Sequence, residues 1–149
     1  MADVMFNIGR GRIYEAYLDA VDLIIVLLKT AEADNTLRDY NTLADLLTAG
    51  GGTANVEADF TNYARKTVLN ANITPTIDDT NNRLDIDIPD QTWTAAGGAS
   101  NNTMVKLLVC INGANDAARI PITAHDWTPT TDGNDLVAQI AAAGFYRSS

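Results

Sequence analysis

Cysteine and histidine are almost absent from this sequence: Cys110 and His125 are the only ones in 149 residues. One cysteine forms no intrachain disulfide, and one cysteine with one histidine does not close a transition-metal site within a single chain. Cys110 lies in the apolar stretch Lys106-Leu-Leu-Val-Cys-Ile111, which predicts a small buried hydrophobe in a reducing compartment. Lysine and arginine are scarce too, ten in all and scattered, against a formal net charge of −9. With no basic stripe to displace counterions from a phosphate backbone, nucleic acid is not an expected partner. The longest apolar run, Leu23 to Leu28, is closed by Lys29 and falls far short of the roughly 20 residues that cross a bilayer. No membrane span is expected. Met1-Ala2-Asp3-Val4 places no basic stretch before an apolar one, so no signal peptide is expected either.

What is present in quantity is aliphatic and turn-forming. Hydrophobic residues make up 46% of the chain, enough for one core and for one domain spanning residues 1–149. Glutamate is outnumbered by aspartate, 3 to 16, and there are 17 threonines and 14 asparagines. That balance favours strands and turns over long helices. The expected fold is therefore mainly β with minor α: an antiparallel, sandwich-like domain with a short helix in its N-terminal third. Residues 1–59 form a strand and helix segment in this reading, and residues 60–147 form the sandwich core.

Leu23 to Leu28 is apolar on both faces and rich in β-branching, as a strand covered on both sides should be. Before it, Gly9 and Gly11 favour extended chain ahead of Ile13, and residues 13–21 remain open between helix and strand. Asn41 to Gly50 has the marks of a helix: Asn41 as cap, Leu43, Leu46 and Leu47 on one face, and Gly50 as a left-handed stop. Further strands are expected at 63–69, 91–95, 105–111, 119–124 and 136–142, separated by Gly97-Gly98, Asn112-Gly113 and Asp132-Gly133. Leu84, Ile86 and Ile88 alternate with Asp85 and Asp87, so the aliphatics should face the core and the carboxylates water.

Active-site patterns fail on their own requirements. His125 is adjacent to Asp126, but neighbours on a strand point to opposite faces, and no Gly-x-Ser-x-Gly elbow is present. Asp78 to Asp87 is rich in oxygen ligands, yet Arg83 stands where a calcium loop needs its glycine and Pro89 where it needs its bidentate glutamate. A turn whose Asp78 and Asp79 bond local amides accounts for the same residues. Gly9-Arg10-Gly11 lacks the Lys-Ser/Thr pair of a phosphate loop. No catalytic residue, cofactor or metal is expected.

Four segments, in order, carry a resemblance: Thr42-Leu-Ala-Asp-Leu-Leu47, Phe60-Thr-Asn-Tyr-Ala-Arg-Lys66, Asn82-Arg-Leu-Asp-Ile-Asp-Ile-Pro-Asp-Gln-Thr-Trp93 and Ala143-Gly-Phe-Tyr-Arg147. Together they resemble small virion structural proteins of tailed bacteriophages, described as head decoration, cement or minor capsid proteins. The resemblance implies a non-enzymatic protein assembled in the bacterial host cytoplasm. It would bind the outside of a capsid shell, contact the major capsid protein or other virion proteins, and self-associate, preferably as a trimer. A neck, tail or fibre component is the alternative, and a small ligand-binding or hydrolytic β domain a more distant one. Phe6, Arg10, Arg12, Tyr63 and Arg65 are the candidate partner contacts, an apolar anchor and guanidinium forks near one end together with a second aromatic–arginine pair.

Overall fold

The computed structural model describes residues 20–141 and 144–148; Phe6, Arg10 and Arg12 lie outside them. The six-residue apolar run becomes the middle of the main sheet. Strand β1 (Leu23–Thr30) pairs antiparallel with β7 (Lys106–Ile111) from Leu23↔Ile111 to Leu28↔Lys106. Its other edge is shared by β3 (Lys66–Val68) and β2 (Val56–Glu57), and β8 (Ile120–Asp126) extends the sheet beyond β7. A run apolar on both faces satisfies its backbone and buries both sets of side chains only with strands on each side and cover above and below. The N-terminal third thus supplies the central strand, and the sheets are not confined to residues 60–147.

One face of β1 and β7, with Leu23, Ile25, Leu27, Leu107 and Val109, packs against Leu84, Ile86, Ile88, Trp93, Met104 and Phe145. Apart from Met104, which precedes β7, those residues come from or adjoin two smaller antiparallel sheets. The first is β10-β5-β4, built from Tyr146–Ser148, Arg83–Asp87 and Thr74–Asp78; the second pairs β6 (Gln91–Trp93) with β9 (Leu136–Ala138). The opposite face, with Ile24, Val26, Leu28, Leu108 and Cys110, is covered by Leu37 of α1 (Asp34–Leu37) and by Leu43 and Leu46 of α2 (Leu43–Gly52). The domain is mainly β, antiparallel, with short helical cover on one side of the principal sheet.

Local chemistry sets the helix ends. Thr42, one residue after the expected Asn41, caps α2: its Oγ1 accepts from the Asp45 amide at 3.1 Å, satisfying a first-turn donor. Helical backbone is left at Ala49 (ψ 139), and Gly50 takes φ 59, the expected left-handed stop. The strands expected at 63–69 and 136–142 shorten to Lys66–Val68 and Leu136–Ala138. Phe60 and Tyr63 are joined by a turn, Tyr63 N donating to Phe60 O at 2.9 Å, and Asn62 has φ 69.

Leu84, Ile86 and Ile88 are buried as the alternation predicts, but Asp85 is only 8% exposed and does not face open water. Arg147 stands directly opposite it across β10 and β5, and Arg83 lies two residues away on the same face. Arg147 Nε is 2.6 Å from Asp85 Oδ1, and Arg83 Nε is 3.0 Å from Asp85 Oδ2. Both guanidiniums cover the carboxylate and, Arg147 foremost, hold its pKa below the usual range. Gly144 makes that pairing reachable. At φ 80 it turns the chain onto β5 where a Cβ would sit 2.0 Å from Ile86 O, space that only glycine leaves open.

Candidate functional site

In two clusters in and around the main sheet, charged side chains pair with one another. Arg65, just before β3, grips two carboxylates with its planar fork. Nε and Nη2 donate to Glu57 at 2.7 and 2.6 Å, and Nη1 and Nη2 to Asp116 at 2.5 and 3.0 Å. Arg119 adds a further bond to Asp116 Oδ1 at 2.5 Å. Tyr63 donates its hydroxyl to Glu57 Oε1 at 2.8 Å and accepts from the Leu27 amide at 3.2 Å, while its ring meets Phe60 edge-on at 5.2 Å between centroids. Burial, and next the Glu57 charge, raise the Tyr63 pKa; the hydrogen bonds that Arg65 donates to Glu57 and then to Asp116 raise its own. Tyr63 and Arg65 were expected to reach a partner. The structure employs their polar groups inside the fold, because β2 and the β7–β8 connection bring Glu57 and Asp116 to them.

A second ionic cluster ties α1 to the sheet. Lys106 Nζ lies 2.5 Å from both Asp34 and Asp126, with its own side chain only 10% exposed. Asp126 first, then Asp34, raise its pKa.

Asp116 makes the first cluster sensitive to acid. Its bonds to Arg65, then to Arg119, outweigh desolvation and hold its carboxyl at about 2, below the roughly 3.9 of an unfolded aspartate. The folded state favours the ionised form, so this contribution is complete above about pH 4 and is lost as pH falls towards about 2. Denaturation midpoints measured across that window should drop steadily for the native sequence. Asp116→Asn should flatten the drop while lowering the plateau at neutral pH; an unaltered slope contradicts the assignment.

The residues weighed for chemistry are also accounted for. His125 lies on β8 with Nε2 2.9 Å from Thr123 Oγ1, whereas Asp126 is directed at Lys106. Burial and then Lys106 lower the histidine's pKa. It borders a cavity of about 230 Å³ with Leu107, Trp127, Ile140 and Phe145. A second cleft, about 380 Å³, lies between α1 and β8 over Leu37, Leu46 and Leu108. Cys110 is fully buried, and desolvation pushes its thiol up to about 12. Asp78 receives the Asn81 amide at 3.0 Å and its side-chain nitrogen at 2.7 Å, a local turn. Among the described residues, no three His, Cys, Asp or Glu side chains are placed to hold a metal ion. Comparison of the chain with protein-family models, curated proteins and solved structures finds no match.

Sequence reasoning missed Glu57, Asp116, Arg119 and Lys106. The Arg65–Asp116 bond spans 51 positions and Lys106–Asp34 spans 72. No local spacing signals such pairs; only the strand order brings them together.

Proposed function

We propose that this protein is a non-enzymatic structural component of a tailed-phage particle, binding the outside of the capsid shell as a decoration or cement protein and stabilising it. The observation that carries the reading is the distribution of exposed aliphatic side chains. Of the four exposed large aliphatics among the described residues, Ile77, Ile120 and Val137, at 40%, 49% and 44% exposed, lie on β4, β8 and β9, each of which ends a sheet path, and Leu69, at 56%, follows β3. Strands in that position present backbone donors and acceptors to another chain, and an aliphatic beside them adds apolar contact. The Arg65 and Lys106 clusters, by contrast, are paired within the fold. A net charge of −9 complements a basic patch on a shell subunit, and repetition around a three-fold point lets weak contacts add by avidity.

The test is co-sedimentation of the purified protein with capsid shells that lack it. Saturable binding and a raised shell melting temperature are the expected results, with occupancy reduced by Ile120→Lys or by deleting residues 1–12 while folding survives. Failure to bind shells, or localisation of labelled protein to the neck, tail or fibres of an imaged virion, overturns the decoration reading.

A further inference from the structure

The Asn112-Gly113 step begins the connection between β7 and β8, which occupies residues 112–119. Asn112 Oδ1 accepts from the Gly113 backbone nitrogen at 3.0 Å and from Arg119 Nε at 3.1 Å. The side-chain amide therefore lies against the backbone nitrogen that follows it, with a guanidinium on its oxygen. We propose that Asn112 and Gly113 form a self-deamidation site, at which the Gly113 nitrogen displaces the side-chain amide of Asn112.

The step balances with water as the only co-reactant. Gly113 N gives its proton to solvent base and forms a bond to Asn112 Cγ. Negative charge develops on Oδ1, where the Arg119 guanidinium stabilises it as an oxyanion donor does. Collapse breaks the Cγ–Nδ2 bond, Nδ2 leaves as ammonia after taking a proton from solvent, and a five-membered succinimide remains. Water then adds to either ring carbonyl. Opening the bond from nitrogen to Cγ gives aspartate; opening the bond from nitrogen to the backbone carbonyl carbon gives isoaspartate. Glycine suits the second position because it puts no side chain in the path of the closing ring.

Asp132-Gly133 has the sequence needed for the same ring closure, but a different geometry. Gly133 N donates to Ala96 O at 2.8 Å, and the Asp132 carboxylate accepts both the Asn134 amide and its side-chain nitrogen at 3.0 Å. The Gly133 nitrogen is turned to Ala96 and away from the Asp132 carboxyl, whereas the Gly113 nitrogen is turned to the Asn112 side chain, and this separates the two turns.

The product has a defined place to act. A new carboxylate at 112 competes with Asp116 for Arg119. The isoaspartyl form adds a backbone carbon to a connection whose Asp116 O and Arg119 O accept the Ala44 and Leu43 amides of α2 at 3.0 and 2.9 Å. It also alters the position from which the Asn112 amide reaches Asp22 O at 2.9 Å.

The test incubates the folded full-length chain in mildly alkaline buffer made with oxygen-18 water, beside a synthetic peptide covering residues 106–119, and follows both by peptide mapping. The folded chain should convert Asn112 to a mixture of labelled aspartate and isoaspartate at a rate within about tenfold of the peptide's, with no isoaspartate at position 132. Asn112→Gln should remain unconverted. Arg119→Gln, checked for native circular dichroism, should slow the folded chain by up to about 100-fold, the lower end for loss of one oxyanion donor, and leave the peptide unchanged. Persistence of the Asn112 amide in the folded chain after the peptide has converted overturns the site. An unaltered rate in folded Arg119→Gln overturns the role given to the guanidinium.

Discussion

Trp93→Ala is expected to lower the stability of the fold by about 3–5 kcal/mol, the usual cost of emptying a buried indole site. Trp93 is 1% exposed, its Nε1 donates to Ala64 O at 2.8 Å, and its ring lies 6.1 Å from that of Trp127. Lys66 Nζ sits 5.7 Å from the ring centroid, a cation–π geometry. Truncation leaves a cavity between the β6–β9 ribbon and the main sheet and strips the Ala64 carbonyl of its donor. For a chain of this size the melting temperature should fall by about 10 °C, and Trp93→Phe should recover part of the packing without the hydrogen bond. A loss below about 1 kcal/mol, within the range of ordinary substitutions, contradicts the placement of this side chain in the core.

The features legible in the sequence are those that a few adjacent residues determine. Leu23 to Leu28 announces a doubly covered strand because six apolar residues rich in β-branching suit a strand better than a buried helix. Leu84, Ile86 and Ile88 announce one buried face by period two, and Gly50 announces a helix stop by its freedom at positive φ. Asp85 shows where such reasoning ends. Its period correctly turns it away from the aliphatics, but its burial depends on Arg147, 62 positions away. Tyr63 and Arg65 read as an available aromatic and an available cation for the same reason: Glu57 and Asp116 become their neighbours only once β2, β3 and β7 have taken places around β1. Helix capping by Thr42 instead of Asn41 is a smaller case, since both residue types cap and only the backbone at Thr42 (φ −133, ψ 156) points its oxygen at the Asp45 amide.

Arg65→Met should cost about 2–4 kcal/mol, near the lower part of the range for breaking a buried ion pair because these side chains retain some solvent contact. The Arg65 side chain is 21% exposed, that of Glu57 23% and that of Asp116 32%. Removing the cation leaves two carboxylates facing each other with only Arg119 to offset them. The loss arises from that unpaired charge more than from the missing bonds. Glu57→Gln and Asp116→Asn added to Arg65→Met should therefore restore a large part of the stability in denaturant titrations. If Arg65→Met alone stays within about 0.5 kcal/mol of the native protein, the cluster contributes little, and the acid sensitivity ascribed to Asp116 must have another source.

The central position of β1 has a consequence for the chain during its synthesis. Leu23 pairs with Ile111 and Leu28 with Lys106, so the most apolar segment leaves the ribosome long before the strand that completes it. At roughly 5–20 residues per second, it waits on the order of several seconds with an unpaired edge, short, β-branched and uncharged, the composition that aggregates most readily. Asp22 before it and Lys29 after it are the charges that flank the run and interrupt such pairing. The yield of folded protein in a cell thus depends on the interval between translating residue 28 and residue 111, and slower elongation between them should divert chains into aggregates.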